Sequence, residues 1–148
     1  MRNFKLIFLF GLFVLCFTST AQAQVDDTLP PWFRRPMDIL TPKIIDWNST
    51  YVLQSQAQAI SKSNKITVSG KSLKLPRTIK ILKGPITVKR GNNCYQISCE
   101  RNRACNNCMM LWKDLNNDRK IQPKRELRCT CPKSGDNCGL RARKVECK

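Results

Sequence analysis

Cysteine and basic side chains are the residues of this chain whose types could carry chemistry. The sequence of 148 residues contains 9 Cys, 27 Lys plus Arg, 10 Asp plus Glu and no His. Without histidine, the chain lacks Ser/His/Asp triads, Cys/His nucleophile pairs and histidine metal ligands. We therefore expect a protein that is not an enzyme and needs no cofactor or metal. Its cysteines should form disulfides, and its cations should bind a negatively charged partner.

The first 23 residues are typical of a secretory signal peptide. Arg2 and Lys5 precede an apolar run over residues 6–17, and Ala21 and Ala23 provide a small-x-small cleavage site. The apolar run is shorter than the ~20 residues that a membrane span requires. We therefore expect a secreted, extracellular protein with no membrane span.

Cleavage of this signal would remove Cys16 and leave an even number of cysteines, which is typical of a secreted disulfide framework. Sequence alone leaves their connectivity open. All of them lie in the C-terminal part of the chain: Cys94, Cys99, Cys105, Cys108, Cys129, Cys131, Cys138 and Cys147.

These positions divide the mature chain into two unlike parts. Residues 24–63 carry four prolines, which interrupt helices, and they predict an extended or disordered lead with a possible short helix over 50–60. Residues 64–148 predict a disulfide-rich domain, strand-rich over 64–90 and followed by a cysteine module over 91–148. The expected fold class is small disulfide-rich α+β, with short antiparallel strands, one short helix and an extended N-terminal lead.

Apolar residues at a spacing of two predict the strands, because alternate side chains share one face of a strand. Leu127–Cys131 and residues 139–146 follow the same pattern, and Cys94–Cys99 fits a strand or a turn. Cys108, Leu111, Trp112 and Leu115 have a spacing of three to four, which predicts a helix that ends before Pro123. The strand pairs are Ile66/Val68, Leu73/Leu75, Ile79/Ile81 and Ile86/Val88.

Two pairs of cysteines have a spacing that would let them face each other. Cys105 and Cys108 would lie ~5–6 Å apart, one turn apart on the predicted helix. Cys129 and Cys131 would lie about 6.6 Å apart on one face of a strand. The first pair could therefore bridge the second. A four-thiolate zinc site at these cysteines is disfavoured in a secreted chain.

This arrangement resembles the cystine-stabilised αβ scaffold of defensins and toxins, although the helical pair here is Cys-x-x-Cys rather than Cys-x-x-x-Cys. Residues 104–108, the leucine-bearing helix and Arg128–Cys131 also resemble the small cysteine-rich salivary glue proteins of insects. That second resemblance implies an adhesive or storage secretion.

The basic residues predict a polyanion-binding surface. Between Asp46 and Glu100 the sequence has nine basic residues and no acidic one. Thr67, Lys74, Thr78, Lys80 and Thr87 are predicted on one strand face. Such a surface would bind a glycan, a microbial surface or a nucleic acid through counterion release, as in host defence. Its predicted members are Lys74, Lys80, Lys89, Arg90, Arg125, Arg128, Arg141, Arg143 and Lys144.

Two other classes of function fit the same features. A secreted adhesive or structural protein would use its charge for matrix contact, and a receptor-binding ligand would depend on a few buried anchors.

Three further local motifs occur in the chain. Asn48 begins the only N-x-S/T sequon and is the predicted glycosylation site. Lys89-Arg90 is a dibasic pair, and cleavage there would release residues 91–148. Asp114-x-Asn116-x-Asp118 begins like a calcium loop, but Arg119 stands in place of the turn glycine, which disfavours calcium.

Overall fold

The structure is a computed structural model that describes residues 37–100, 107–132 and 138–148, and most of its regular structure is β-strand. Two four-residue helices occur in these described ranges, so the helical content is minor. In chain order the elements are β1 (Val52–Leu53), α1 (Gln56–Ala59), β2 (Lys65–Val68), β3 (Lys71–Lys74), β4 (Ile79–Leu82), β5 (Ile86–Arg90), β6 (Asn93–Glu100), β7 (Met109–Lys113), α2 (Pro123–Glu126), β8 (Leu127–Thr130) and β9 (Gly139–Val145).

The strands form three antiparallel sheets. A four-stranded sheet has the order β1-β5-β6-β9, a three-stranded sheet has the order β4-β7-β8, and β2 and β3 form a separate hairpin. The fold is therefore disulfide-rich with short antiparallel strands, as expected. Its helical part is minor, so the predicted α+β class is met only roughly and the fold is mostly β.

The main hydrophobic core contains residues of both larger sheets. Val88 and Ile97 of the four-stranded sheet are fully buried, and they belong to the same cluster as Met110, Trp112 and Leu127 of the three-stranded sheet. Strand alternation explains this, because every second residue of each strand points to the same face.

A second core lies on the opposite face of the three-stranded sheet. Leu111 sits between Met110 and Trp112 in β7, but it packs with Ile66, Leu75 and Ile79. Ile66 comes from β2, so the hairpin covers this face. The central strand of the three-stranded sheet, β7, is therefore buried on both of its faces.

The helix predicted on Cys108, Leu111, Trp112 and Leu115 is wrong, since residues 109–113 form β7. A strand that is buried on both faces has a continuous apolar run, and periodicity alone does not separate such a run from a helix. Leu115 is 45 % exposed and lies outside both cores. Pro123 also does not end a helix but stands at the start of α2, where its missing N–H is tolerated.

The predicted strands are confirmed by the structure. β2, β4 and β5 contain three of the four apolar pairs, and Leu73 lies in β3 with Leu75 buried just after it. Residues 93–100, 127–130 and 139–145 are strands as well. The possible helix within residues 50–60 is present as α1.

The described part of the N-terminal lead, residues 37–63, packs into the main core rather than standing apart from it. Ile45, Trp47, Tyr51 and Leu53 are buried there. Prolines interrupt regular elements but do not prevent large apolar side chains from burying themselves, and burial of such side chains is favourable. Residues 24–36 lie outside the described ranges.

Residues 38–41 run along the outer edge of β9. Leu140 donates its backbone N–H to the carbonyl of Asp38 at 2.8 Å and accepts one from Leu40 at 2.9 Å. The N–H of Ala142 is donated to the hydroxyl of Thr41 at 2.8 Å. A Cβ at Gly139 would come within 2.6 Å of the Leu40 side chain, so the exposed Leu40 side chain would have to move to admit a larger residue here.

Three disulfides join described cysteines, and they contradict the predicted pairing. Cys94 pairs with Cys147, Cys99 with Cys129, and Cys108 with Cys138. The prediction relied on a helix at Cys108, but that residue precedes a strand and faces different neighbours. Cys131 is also disulfide-bonded, whereas Cys105 lies outside the described residues.

Candidate functional site

The predicted cations and threonines lie on three separate sheets rather than on one face. Thr67 and Lys74 belong to the hairpin, Lys80 to the three-stranded sheet, and Thr87 to the four-stranded sheet. The reason is topological: β4 pairs with β7 and β5 pairs with β6, so consecutive strands in this segment do not extend one sheet.

The outward side of the hairpin carries two lysines and two hydroxyls, and we call these residues, Lys65, Thr67, Ser72 and Lys74, the hairpin face. Lys65 lies directly opposite Lys74, and Thr67 lies directly opposite Ser72. All four are exposed, whereas Ile66 on the other side is buried. Among the described residues, no carboxylate forms an ion pair with either lysine. Lys74 and Thr67 were predicted on this face from the sequence, whereas Lys65, the cross-strand partner of Lys74, was not.

The outer face of the four-stranded sheet holds Arg141 and Arg143, and both already have partners. Arg141 Nε lies 2.6 Å from Glu100 Oε1, and Arg143 Nε donates to Gln96 Oε1 at 2.7 Å. Lys144 follows on the same strand and lines a cavity of about 600 Å³ together with Gln96. The Cys94–Cys147 disulfide ties the C-terminal residues beside this cavity.

Lys89 and Arg90 lie at the end of β5 and line a second cavity of about 430 Å³ with Lys120. Arg90 also lies 3.8 Å from Asp46, with both side chains more than half exposed. The pKa of Asp46 is lowered, first by the hydrogen bond from the Ser49 hydroxyl and then by the Asn48 N–H. The contribution of Lys120 could not be read from the sequence, because a loop brings it to β5.

Arg125 and Arg128 differ in their availability for a partner. Arg125 is exposed on α2. Arg128 is half-buried, and its Nη1 donates to the carbonyls of Leu127 at 2.7 Å and Lys124 at 3.2 Å. Burial lowers the pKa of Arg128. The Arg128 guanidinium is therefore already hydrogen-bonded within the protein, and of the predicted cations it is the least available to bind an anionic partner.

A cavity of about 260 Å³, the Trp112 cavity, lies where β4 and β7 meet the loop over residues 114–122. It is lined by Lys80, Trp112, Asp114 and Arg119, among others. Trp112 Nε1 and Asp114 Oδ1 are both buried and have no hydrogen-bond partner. Lys80 was predicted in the binding surface, whereas Trp112 was predicted on a helix.

The loop that resembles a calcium site is closed by its own hydrogen bonds. Asp114 Oδ2 accepts the N–H of Arg119 at 2.9 Å, and Asp118 Oδ1 accepts the N–H of Lys120 at 2.7 Å. Within residues 37–100, 107–132 and 138–148, no group of three or more Cys, Asp and Glu side chains is arranged to hold a metal ion.

The sequon residue Asn48 is exposed in a turn before β1. Its backbone N–H is donated to Asp46 Oδ1 at 3.1 Å, and its backbone carbonyl accepts from the Gln122 side chain. Its side-chain amide has no hydrogen bond to the described part of the chain, so the structure leaves this position accessible for the predicted modification.

The disulfides and the lengths of the helices bear on where the protein is located, and comparisons with known proteins bear on whether it has recognisable relatives. Multiple disulfides are typical of oxidising, extracellular compartments, and the described segments contain no helix that is long and apolar enough to cross a bilayer. Comparison of the chain with protein families, curated proteins and solved structures found no match in any of the three.

Proposed function

We propose that this protein is a secreted, non-enzymatic protein that binds an anionic extracellular partner through the hairpin face, as a host-defence or similar effector would. The observation that supports this proposal is the directly opposed pair of Lys65 and Lys74, which has no carboxylate partner in the described chain.

Two like charges that face each other across a strand pair destabilise it. A sulfate or phosphate placed between the two ammonium groups would remove that repulsion. The hydroxyls of Thr67 and Ser72, one cross-strand pair further along the same face, could donate to the same anion. Further exposed cations nearby in sequence, Lys62 and Arg77, would extend the contact to a polymer.

The buried state of the aromatic residues favours a sulfated glycan over a single-stranded nucleic acid. Single strands are bound largely by stacking of bases on exposed aromatic side chains. In the described ranges, Trp47, Tyr51 and Trp112 are buried and Tyr95 is partly buried. A partner that binds here would therefore be recognised by charge and hydrogen bonds rather than by stacking.

The test compares two double charge reversals that change the net charge equally. One variant carries Lys65→Glu and Lys74→Glu, and its control carries Lys43→Glu and Lys124→Glu at exposed positions outside the hairpin face. Heparin affinity is measured over a range of salt concentrations. We expect the wild type to bind with an affinity that falls steeply with salt, because binding releases counterions. The hairpin variant should lose about tenfold in affinity or more, or ~1.4 kcal/mol, and the control much less.

Three outcomes would overturn the proposal. Salt-insensitive association with extracellular matrix would favour an adhesive protein. Saturable binding to cells that survives the reversal of Lys65 and Lys74 would favour a receptor ligand. Equal losses in the two double variants would mean that total charge, and not the hairpin face, determines affinity.

A further inference from the structure

The outer edges of β9 and β4 are covered by other segments of the chain. Residues 38–41 run along β9. Residues 59–61 run along β4, where the Ser61 N–H is donated to the carbonyl of Ile81 at 2.8 Å. Strand β3 differs from these strands, because within the described ranges it pairs with β2 alone. Its other edge is therefore open to a further strand.

The hydrogen bonds of the hairpin show which backbone groups lie on this open edge. The Leu75 N–H is donated to the carbonyl of Asn64 at 2.7 Å, and opposite residues in an antiparallel ladder alternate between hydrogen-bonded and non-hydrogen-bonded pairs. Ser72 and Lys74 therefore hold non-hydrogen-bonded positions, and their backbone N–H and carbonyl groups point away from β2. These groups form no hydrogen bond with the described chain, and all of β3 is exposed. We call them the β3 edge.

Charge determines which kind of strand can pair with the β3 edge. Lys65, Lys71 and Lys74 are exposed, and none of them forms an ion pair with a carboxylate of the described chain. A second copy that added its own β3 would bring lysine against lysine, and like charges across paired strands are destabilising. Lysine on an edge strand opposes self-pairing for this reason. A strand that carries carboxylates would instead be attracted.

Leu73 adds an apolar contact on the other side of the same strand. It lies directly opposite Ile66, which is 3 % exposed in the second core, but Leu73 itself is 38 % exposed and lies outside both cores. An apolar side chain placed beside Leu73 would bury part of this surface, which is favourable by roughly 25 cal/mol per Å². Because side chains alternate between the two faces of a strand, the fitting strand alternates acidic and apolar residues.

We propose that the β3 edge binds an extended acidic segment of a partner protein, which adds to the hairpin as a further strand. Its backbone exchanges hydrogen bonds with Ser72 and Lys74. Its carboxylates lie on the side of Lys65 and Lys74, and its apolar residues lie on the side of Leu73. In this mode of recognition the main-chain hydrogen bonds provide affinity and the alternate side chains provide specificity. The inference goes beyond the proposed function, since it concerns the edge of the hairpin and a peptide rather than the hairpin face and a glycan.

The first test is a titration of the full secreted chain with the blocked peptide Glu-Val-Glu-Val-Glu-Val, followed by hydrogen exchange of the backbone amides. In the free protein the Ser72 and Lys74 amides should exchange rapidly, because they have no acceptor in the described chain. We expect the peptide to protect both amides. Binding that leaves them unprotected would overturn the inference, because the peptide would then be held by charge alone.

The second test removes one outward donor and keeps every lysine. Ser72→Pro deletes the N–H that points away from β2, and proline is tolerated on an edge strand at such a position. The matched control is Thr67→Pro, directly opposite on β2, which deletes an outward N–H from the other edge of the hairpin. We expect Ser72→Pro to weaken peptide binding about tenfold or more, or ~1.4 kcal/mol, and Thr67→Pro to leave it nearly unchanged. Equal losses would overturn the inference.

A third test leaves the protein unchanged and keeps the inference falsifiable if a proline variant does not fold. The N–H groups of alternate residues point to the same edge of a strand. N-methylation of one alternate set of peptide amides should therefore abolish binding, and methylation of the other set should not. Two methylated peptides that do not differ in affinity would contradict strand addition.

Failure of this inference and failure of the proposed function give different results. Ser72→Pro keeps Lys65 and Lys74, so it should bind heparin as the wild type does while it loses the peptide. Salt-sensitive heparin binding without any binding of the peptide would overturn strand addition alone. Protection of Ser72 and Lys74 by the peptide, without salt-sensitive heparin binding, would overturn the proposed function alone.

Discussion

At the scale of single residues, Glu126 is the buried charge that organises the loop beside the Trp112 cavity. It is 2 % exposed, and its two carboxylate oxygens accept the N–H groups of Leu115 at 3.1 Å and Gln122 at 2.8 Å. It therefore holds both ends of the loop to α2. Burial raises the pKa of Glu126, and the charges of Asp114 and Asp118 act in the same direction.

The raised pKa predicts how Glu126→Gln changes the pH dependence of stability. Below the ordinary glutamate value of 4.5, the carboxyl is protonated in both folded and unfolded states. As the pH rises from there through the raised folded pKa, the folded protein binds more protons than the unfolded one, so stability falls. Glutamine does not titrate. We expect the stability advantage of the wild type over Glu126→Gln to shrink between acidic and neutral pH.

Denaturant unfolding of both proteins across that range measures this difference, and other titrating groups cancel in the comparison. At neutral pH, Glu126→Gln should still lose one of the two accepted hydrogen bonds, which is worth about 1 kcal/mol. A difference that is constant with pH, or that grows as the pH rises, would contradict the assignment of a raised pKa.

At the scale of elements, the two-residue turn of the β2–β3 hairpin fixes the register that opposes Lys65 and Lys74. Ser69 and Gly70 have φ values of 50° and 75°, the pattern of a type I′ turn, whose twist matches that of the strands. The Ser69 N–H is also donated to the carbonyl of Pro132 at 2.7 Å. The turn therefore determines both the hairpin face and its attachment to the domain.

Substitutions in this turn should shift stability in opposite directions. Nothing lies within 4 Å of a Cβ placed at Gly70, so Gly70→Ala would act through backbone strain alone and cost about 1–2 kcal/mol. Ser69→Asn should stabilise slightly, because Asn-Gly is the preferred type I′ pair. Thermal unfolding of the two variants tests this expectation, and stabilisation by Gly70→Ala would show that the turn has another geometry.

Some of this element could be predicted from the sequence, and some could not. The alternation of apolar and polar residues predicted β2 and β3. With a two-residue turn placed at Ser69 and Gly70, counting residues outward along both strands would also have predicted that Lys65 lies opposite Lys74. β7 could not be recognised as a strand from the sequence. A strand that is buried on both faces has apolar residues in succession, so it lacks the alternation of apolar and polar residues by which β2 and β3 were predicted. The position of β7 between two packed layers depends on the tertiary fold. The local sequence of β7 does not determine it.

At the scale of the whole molecule, the residues before and after Arg90 share one core. β5 pairs with β6 across the turn at Gly91, and β4 pairs with β7. The division into a lead, a strand-rich part and a cysteine module follows composition, but composition does not determine which segments pack together. For the same reason, the spacing of cysteines did not predict that Cys108 bonds to Cys138.

Cleavage after Arg90 should therefore nick the protein without releasing residues 91–148. The three disulfides between described cysteines all join residues beyond position 90, so hydrogen bonds and packing would hold the described part of the earlier segment, residues 37–90. We expect the nicked chain to elute as one species in native buffer and to separate in denaturant without reductant. Separation in native buffer would contradict the shared core and support the release of a smaller effector.

The segment over residues 38–41 affects whether copies of this chain can associate with one another through a sheet edge. An exposed strand border is a template on which further chains can add, and such growth leads to fibrils. Asp38, Leu40 and Thr41 already occupy the positions on Leu140 and Ala142 that an incoming copy would use. The segment over residues 38–41 therefore covers this border, and we expect its removal to expose the backbone groups of Leu140 and Ala142 to pairing with a second copy.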